Sequence, residues 1–102
     1  MVKSELARDL SQRTRLPLSE VQEAIDRILD LLADGLEQGE RVEIRDFGAF
    51  QLSVRPGRMG RNPKTGTDVT VPSMRYVRFR AGKLLNELVQ ENFLKAQREL
   101  TE

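Results

Sequence analysis

Four cations recur at every third position in one short stretch of this 102-residue chain: Arg55, Arg58, Arg61 and Lys64. Guanidinium and ammonium groups are the side chains that bind phosphate oxygens in proteins. From residue 55 to residue 72 they face a single acid, Asp68, and almost no large apolar side chain that could hold the stretch against a folded body. These residue types predict an exposed surface that binds a polyanion.

A reverse turn must position these cations. In Asn62-Pro63-Lys64-Thr65-Gly66 the proline presets φ, and the glycine accepts the positive φ of a tight turn. The β-branched residues that follow, in 67–71, favour extended chain. The stretch 55–72 therefore predicts a β-hairpin arm with limbs of roughly eight residues, which would reach on the order of 25 Å. Because an isolated two-stranded ribbon is marginal in water, we expect it to be mobile until a nucleic-acid groove holds it.

The distribution of charge supports this interpretation, although the net charge of the chain is only +1. Residues 55–83 contain eight cations and one acid, a net charge of +7, whereas the rest of the chain contains nine cations and fifteen acids, a net charge of −6. Such segregation directs one surface towards phosphates and leaves the other solvated.

Three motifs in this order resemble the HU/IHF family of bacterial architectural DNA-binding proteins. They are Phe47-Gly48-Ala49-Phe50, the arm pattern Arg55-x-x-Arg58-x-Gly60-Arg61-Asn62-Pro63-x-Thr65-Gly66, and Phe79-Arg80-Ala81-Gly82-Lys83. The resemblance covers about residues 3 to 90. It implies an α+β fold in which two chains form an intertwined dimer with a helical body, a short antiparallel sheet and protruding arms.

The rest of the chain predicts the elements of that body. Residues 3 to 14 form a helix, and a longer second helix ends at Gly39. Ser19 and Gln22 predict a capping box at its start, although Pro17 could instead lie in the first turn. A strand at residues 42 to 44 leads into a turn at Asp46, a residue type that tolerates unusual φ. The last helix opens after Ala81.

The length of the chain predicts one domain over residues 1–102. Phe93, Ala96 and Leu100 continue the helical spacing beyond residue 90, where the family typically stops. Residues 91–100 therefore predict an extension of the last helix that packs on the dimer body, with a frayed tail as the alternative.

An obligate dimer is also predicted from the residues themselves. The apolar side chains of the second helix span roughly 160°, against an ordinary stripe of about 100°, so this helix needs a second partner. The sheet adds three phenylalanines that so short a chain cannot cover. The predicted dimer core comprises Ile25, Ile28, Leu32, Phe47, Phe50 and Phe79.

The resemblance implies how the arm and its surroundings would contact DNA. Pro63 would be the wedge that intercalates between base steps, with Arg58, Arg61 and Asn62 in the minor groove. Phosphate contacts are expected along the saddle between the arms, from Arg55, Lys64, Arg75, Arg80 and Lys83, with Arg78 adding to the cationic face. Two assignments stay open. Lys3 is either a phosphate contact or a solvated lysine, and Arg45 is either a sequence-preferring contact or a plain surface arginine.

Composition argues against other classes of protein. The chain has no Cys and no His, so the usual nucleophile, general base and metal ligands are missing. We expect no enzyme, cofactor, metal or small-molecule substrate. No apolar run approaches a membrane span and the N-terminus has no signal-peptide core, which predicts a cytoplasmic, nucleoid-associated protein.

Three functions remain open at this point. The first is an architectural protein that binds and bends or compacts duplex DNA with little sequence preference, as a homodimer. The second is a sequence-preferring subunit of an IHF-like heterodimer. The third is a protein-interaction role, carried by the acidic helical face and the long last helix, with DNA binding secondary.

Overall fold

The computed structural model describes residues 1–101 and contains three helices and five strands. The helices are α1 (Lys3–Thr14), α2 (Leu18–Glu37) and α3 (Lys83–Thr101). The strands are β1 (Val42–Ile44), β2 (Gly48–Arg55), β3 (Arg58–Arg61), β4 (Asp68–Val71) and β5 (Met74–Ala81). The predicted α+β class is confirmed. The chain divides into two compact units, of which the first ends at Gln38 and the second begins at Gly39.

The first unit is a helical hairpin. Helices α1 and α2 pack on each other and bury Ala7 and Val21. Arg15 ends α1 in the left-handed region, with φ of 60°, and its N–H donates to the carbonyl of Ser11 at 2.8 Å. The hydroxyl of Ser11 donates in turn to the carbonyl of Leu16 at 2.7 Å. These bonds satisfy the end of α1 and turn the chain into α2.

The capping box predicted at Ser19 and Gln22 is wrong. Helix α2 begins at Leu18, and its N-terminal cap is Pro17, which makes no side-chain cap bond. The carbonyl of Pro17 accepts the N–H groups of Glu20 and Val21, both at 3.1 Å. Pro17 has extended backbone, with φ of −56° and ψ of 140°, so it sets the first turn and leaves Ser19 inside the helix.

The second unit is built on an antiparallel sheet with strand order β1-β2-β5. Because side chains alternate across a strand, the registry Phe50↔Phe79 and Val42↔Phe50 sorts the sheet into two faces. One face is almost entirely apolar. Its apolar members are Val42, Ile44, Phe50, Leu52, Val54, Val77 and Phe79, and Arg75 is its one charged member among the paired residues. The other face is polar and is described below.

Three phenylalanine rings cluster at one end of the apolar face. The ring of Phe79 lies 4.9 Å from that of Phe50 and 5.6 Å from that of Phe47, both in tilted geometry. Gly48 makes the cluster possible. A Cβ at this position would come within 2.6 Å of both the Phe79 ring and the Arg80 carbonyl oxygen, so no other residue fits.

The turn between β1 and β2 forms as predicted. Asp46 adopts a positive φ of 64°, and the N–H of Phe47 donates to the carbonyl of Ile44 at 3.0 Å. The carbonyl of Phe47 then accepts the N–H of Gly82 at 2.8 Å. This bond ties the start of α3 to the phenylalanine cluster.

Neither unit encloses a core of its own. Within residues 1–101 the buried hydrophobic residues are Ala7, Val21 and Ala49. The predicted dimer-core residues stay accessible: Ile28 is 58% exposed, Phe47 44% and Phe79 41%, while Ile25, Leu32 and Phe50 are partly exposed. Large apolar side chains are not left in water without a partner surface, so these residues need to be covered by another molecule.

Helix α3 runs through residues 91–100 and ends at Thr101. It begins with the N–H of Asn86 bonded to the carbonyl of Gly82 at 3.0 Å. The helix makes little contact with the strands of its own unit. Over the described residues, no helix combines the length and the apolar character needed to cross a membrane.

Candidate nucleic-acid interface

The arm is a separate two-stranded ribbon. Strands β3 and β4 pair from Arg58↔Val71 to Arg61↔Asp68 and form a sheet of their own. The larger sheet stops at the pair Arg55↔Met74. The paired limbs are therefore four residues long, shorter than the predicted eight. Pro56 and Pro72 occupy the break, and since proline has no N–H to donate, the ladder is interrupted there.

A compact loop closes the tip of the ribbon. The N–H of Asn62 donates to the carbonyl of Thr67 at 2.9 Å, and the N–H of Gly66 donates back to the carbonyl of Asn62 at 2.7 Å. The side-chain oxygen of Asn62 accepts the N–H of Lys64 at 2.9 Å, an Asx turn over the intervening proline. Gly66 has φ of 69°, the positive value predicted for it.

Pro63 is exposed at this tip and makes none of the bonds that close the loop. Its ring is therefore available for contact with another molecule. Asn62, in contrast, is partly shielded, and its side-chain oxygen already accepts a hydrogen bond within the loop. Its amide NH₂ therefore remains available to donate to an acceptor on another molecule.

The ribbon carries an arginine on each of its faces. Arg58 lies on one face, whereas Arg61 lies on the other beside Met59, whose sulfur accepts the Thr70 hydroxyl at 3.6 Å. The Nε of Arg61 donates to the carbonyl of Gly66 at 3.2 Å, which holds this guanidinium near the tip. A ribbon that enters a groove would present a cation to each wall.

The polar face of the sheet continues this cationic surface. Arg78 and Arg80 pair with Gln51 and Ala49 across β2 and β5, so both project from the face opposite the phenylalanines. Arg55 projects from the same face, with its guanidinium carbon 5.6 Å from the centre of the Tyr76 ring. Two of the predicted phosphate contacts, Arg55 and Arg80, thus share one face with Arg78, which was predicted to add to the cationic surface.

Arg75 is not brought together with them. It pairs with Val54 and therefore lies on the apolar face, near Gly39. Its side chain is exposed, and its contact with phosphate stays a prediction. Alternation along β5 separates Arg75 from Arg78, because positions three apart in a strand face opposite ways.

Arg80 also lines a groove with two further predicted residues. Arg45, Arg80 and Lys83 surround a concavity of about 450 Å³ at the end of the sheet and the start of α3. Arg41 lines it too, and the sequence analysis did not single this residue out. The alternation Arg41, Glu43, Arg45 would have indicated it, because residues two apart share a strand face. Arg41 lies 3.8 Å from the Glu43 carboxylate, and the two side chains remain largely exposed.

Lys3 belongs to the first unit and already has an acidic partner. Its Nζ lies 2.7 Å from Asp26 Oδ1 in an exposed ion pair. The hydrogen bond to Asp26 and the charge of this carboxylate, with a smaller contribution from Asp30, raise the pKa of Lys3 above its ordinary value. Whether Lys3 contacts phosphate stays a prediction, and any phosphate would compete with Asp26 for it.

The described residues show no arrangement suited to metal chemistry. No group of three or more acidic side chains in residues 1–101 is placed to hold an ion. Every buried side-chain nitrogen or oxygen there has a hydrogen-bond partner. What the second unit offers instead is a ribbon and a sheet face that carry exposed guanidinium groups.

Comparison with known proteins agrees with this arrangement. The family model for bacterial DNA-binding proteins matches residues 1–90. Integration host factor subunit beta from Chromobacterium violaceum is 46% identical over 99 residues, which cover 92% of this chain and 95% of that one. The same subunit from Histophilus somni is 47% identical over 90 residues, with coverage of 87% and 96%.

Among solved structures, an HU–DNA cocrystal structure from Anabaena superposes with a TM-score of 0.78 at 30% identity. The match covers 87% of this chain and 97% of the HU chain. Fold, motifs and relatives agree: the chain belongs to the bacterial DNA-binding protein family, that of HU and integration host factor.

Proposed function

We propose that the protein is an architectural DNA-binding protein, which acts as a dimer to bind and bend double-stranded DNA through the minor groove with little sequence preference. The ribbon carries this conclusion: it is four pairs long, has an arginine on each face and holds an exposed proline at its tip. No other surface formed by residues 39–101 combines these properties.

The minor groove of B-DNA is about 6 Å wide, too narrow for a two-stranded ribbon. An apolar wedge between two base pairs unstacks them, kinks the duplex and opens the groove, at a cost of a few kcal/mol per step. Pro63 has the required properties, because it is rigid, exposed and has no N–H that must keep a partner. Arg58 and Arg61 then meet the negative potential of the two groove walls.

The remaining cations hold the DNA that the kink bends back. Arg55, Arg78 and Arg80 share the polar face of the sheet, and phosphate contacts from such a face carry no sequence information. Readout in the minor groove distinguishes little beyond A·T from G·C. The phosphate contacts and the minor-groove readout therefore both give low sequence specificity. A protein that binds DNA in this way would be located on the nucleoid, where DNA is the dominant polyanion.

Dimerisation follows from the exposed apolar surfaces. The phenylalanine cluster and the apolar side chains of α2 would both remain exposed to water in a monomer, which the hydrophobic effect disfavours. A twofold dimer covers both and supplies the second arm. Sedimentation equilibrium should find no folded monomer at micromolar concentration. A folded monomer there would remove the basis for a two-armed clamp.

A second candidate is the sequence-preferring subunit of a heterodimer. The relatives compared above are named as beta subunits of integration host factor, and Arg45 lies with Arg80 and Lys83 in one groove rather than standing alone on the surface. A footprint on random-sequence DNA separates the two candidates. Even protection supports the first, and protection confined to a few sites with a second subunit present supports this one.

The decisive experiment is a gel-shift series with linear, nicked and pre-bent duplexes at one salt concentration. A bender should bind pre-bent and nicked DNA more tightly, because less of the deformation energy has to come from binding. The matched control is the chain with residues 58–71 replaced by a short turn. That variant should remain dimeric and lose DNA binding. Retained DNA binding would instead favour the protein-interaction role, with DNA held elsewhere.

A further inference from the structure

The last two turns and more of α3 extend beyond the part of the chain that the family model covers. That match ends at residue 90, whereas the helix continues to Thr101, a further ~16 Å at about 1.5 Å per residue. Three apolar residues in this part, Phe93, Ala96 and Leu100, continue from Val89 with a spacing of four, three and four. At about 100° per residue they form one narrow stripe, the heptad spacing of a helix that packs on another helix.

The stripe is exposed. Phe93 is 54% exposed, Val89 63% and Leu100 87%, and α3 makes little contact with the strands of its own unit. A phenylalanine with more than half of its surface in water is an energetic cost that a helix without a function for it would avoid.

Polar residues are sorted around the stripe in a way that indicates its partner. Uncharged amides border the stripe on both sides, and Glu99 is the nearest charge, about 90° from its centre. The other charged residues of this part occupy the opposite face of the helix: Glu87, Glu91, Lys95 and Arg98. With no cation on or beside the stripe, DNA is not its ligand. The depletion of charge around an apolar centre is instead the pattern of a protein–protein interface.

The position of α3 connects the stripe to the dimer. The helix starts where Gly82 bonds to the carbonyl of Phe47, at the phenylalanine cluster that the proposed dimer must cover. Leu85 and Leu88 lead from this cluster along the helix into Val89 and Phe93. The exposed apolar surface is therefore continuous from the proposed interface to the end of α3.

We propose that Val89, Phe93, Ala96 and Leu100 pack against a second copy of this chain and enlarge the dimer interface past residue 90, where the match to the family model ends. This inference rests on the proposed dimer. In a twofold dimer the contact occurs twice, so its loss acts on both ends of the assembly.

The test compares two single variants, Phe93→Gln and Leu94→Gln, on the full chain without DNA. Leu94 is a close control, because it is 46% exposed, adjacent in sequence and about 130° around the helix from the centre of the stripe. Dimer dissociation constants come from sedimentation equilibrium or dilution fluorescence. We expect Phe93→Gln to raise the dissociation constant at least about tenfold and to speed subunit exchange, and Leu94→Gln to change neither by more than about twofold.

Other outcomes would overturn the proposal. Equal effects of the two variants would mean that the helix, not the stripe, matters. A lowered melting temperature with no change in dissociation constant or exchange would place the stripe on its own subunit. No change in any measurement would make residues 91–101 a solvated end.

The affinity of Phe93→Gln for a pre-bent duplex, measured above the dimer dissociation constant, should match that of the unaltered protein. This readout separates the two conclusions. If the unaltered protein does not bind DNA, the proposed function is refuted. If Phe93→Gln has the same dimer dissociation constant as the unaltered protein, only the extended interface is refuted.

Discussion

Replacement of Pro63 by alanine distinguishes two roles for this residue: a wedge between base pairs, or only a residue that forms the turn. The bonds that close the tip run between Asn62 and Thr67, Gly66 and Asn62, and Lys64 and Asn62, and none of them involves residue 63. The loop should therefore form in Pro63→Ala. Release of the fixed φ destabilises the free ribbon by only about 0.4–1 kcal/mol. Any larger effect on the complex has to come from contacts that the proline makes with DNA.

The expected effect on the complex is larger. An alanine methyl group cannot replace the pyrrolidine ring against an unstacked base pair, so part of the unstacking cost of a few kcal/mol is no longer offset. The guanidinium groups of Arg58 and Arg61 still find phosphates. We expect affinity to fall by about 1–3 kcal/mol, or roughly 5- to 150-fold, and the bend to be largely lost.

The assay is energy transfer between dyes at the two ends of a short duplex, read at saturating protein so that weaker binding is not mistaken for weaker bending. Pro72→Ala is the control, because it makes the same chemical change in the same arm, at its root. It should leave the end-to-end distance near that of the unaltered complex. An unchanged distance with Pro63→Ala would reject the wedge and leave this residue as a turn former.

The remaining predictions concern charge and packing. If about six phosphates are neutralised, log K should fall against log[salt] with a slope near −5 in filter-binding titrations, and a slope shallower than about −2 would exclude the segregated cations as the binding surface. Gly48→Ala should destabilise the fold by about 3 kcal/mol or more in urea unfolding, since its Cβ would come within 2.6 Å of Phe79 and of the Arg80 carbonyl oxygen; a cost below ~1 kcal/mol would contradict this geometry. The pKa of Lys3 is raised above 10.5 in the folded chain, so its pairing with Asp26 stabilises the fold below that pH and is lost as pH rises through the folded pKa. The difference in unfolding midpoint between the unaltered protein and Asp26→Asn should accordingly shrink between pH 8 and pH 11.5, and a difference that is constant with pH would mean that Lys3 does not sense Asp26.

Local signals explain what could be predicted from the sequence. The helix over residues 3–14, the glycine after α2 and the turn at Asp46 each depend on a residue and its nearest neighbours, and all three form as expected. The capping box failed because two local signals competed, and the fixed backbone of Pro17 determined the helix start ahead of the Ser19 side chain.

Features that depend on the continuity and pairing of strands were harder to predict. Arg75 and Arg78 lie three positions apart, so alternation separates them only if one unbroken strand contains both, and β5 does run unbroken from Met74 to Ala81. The interruption of the hairpin had a visible signal, since Pro56 and Pro72 both lack a donor, but only their neighbouring positions on the two limbs, between the pairs Arg55↔Met74 and Arg58↔Val71, show that the ladder stops. Arg41 was missed because it precedes its strand and lies in an acidic part of the chain.

The break at the root of the ribbon has a consequence for the rate of association. No backbone hydrogen bond of the described residues joins 56–57 to 72–73, so rotations there can swing the ribbon while its four pairs stay intact. Motions of such connecting segments take nanoseconds to microseconds, far shorter than the lifetime of a tight complex. The encounter with a duplex can then begin with one ribbon in contact with the phosphates at the edge of a groove. The ribbon can sample many short-lived orientations before its tip enters the minor groove. Capture and kinking become separate kinetic events: capture is governed by salt, and kinking by the base step that opens.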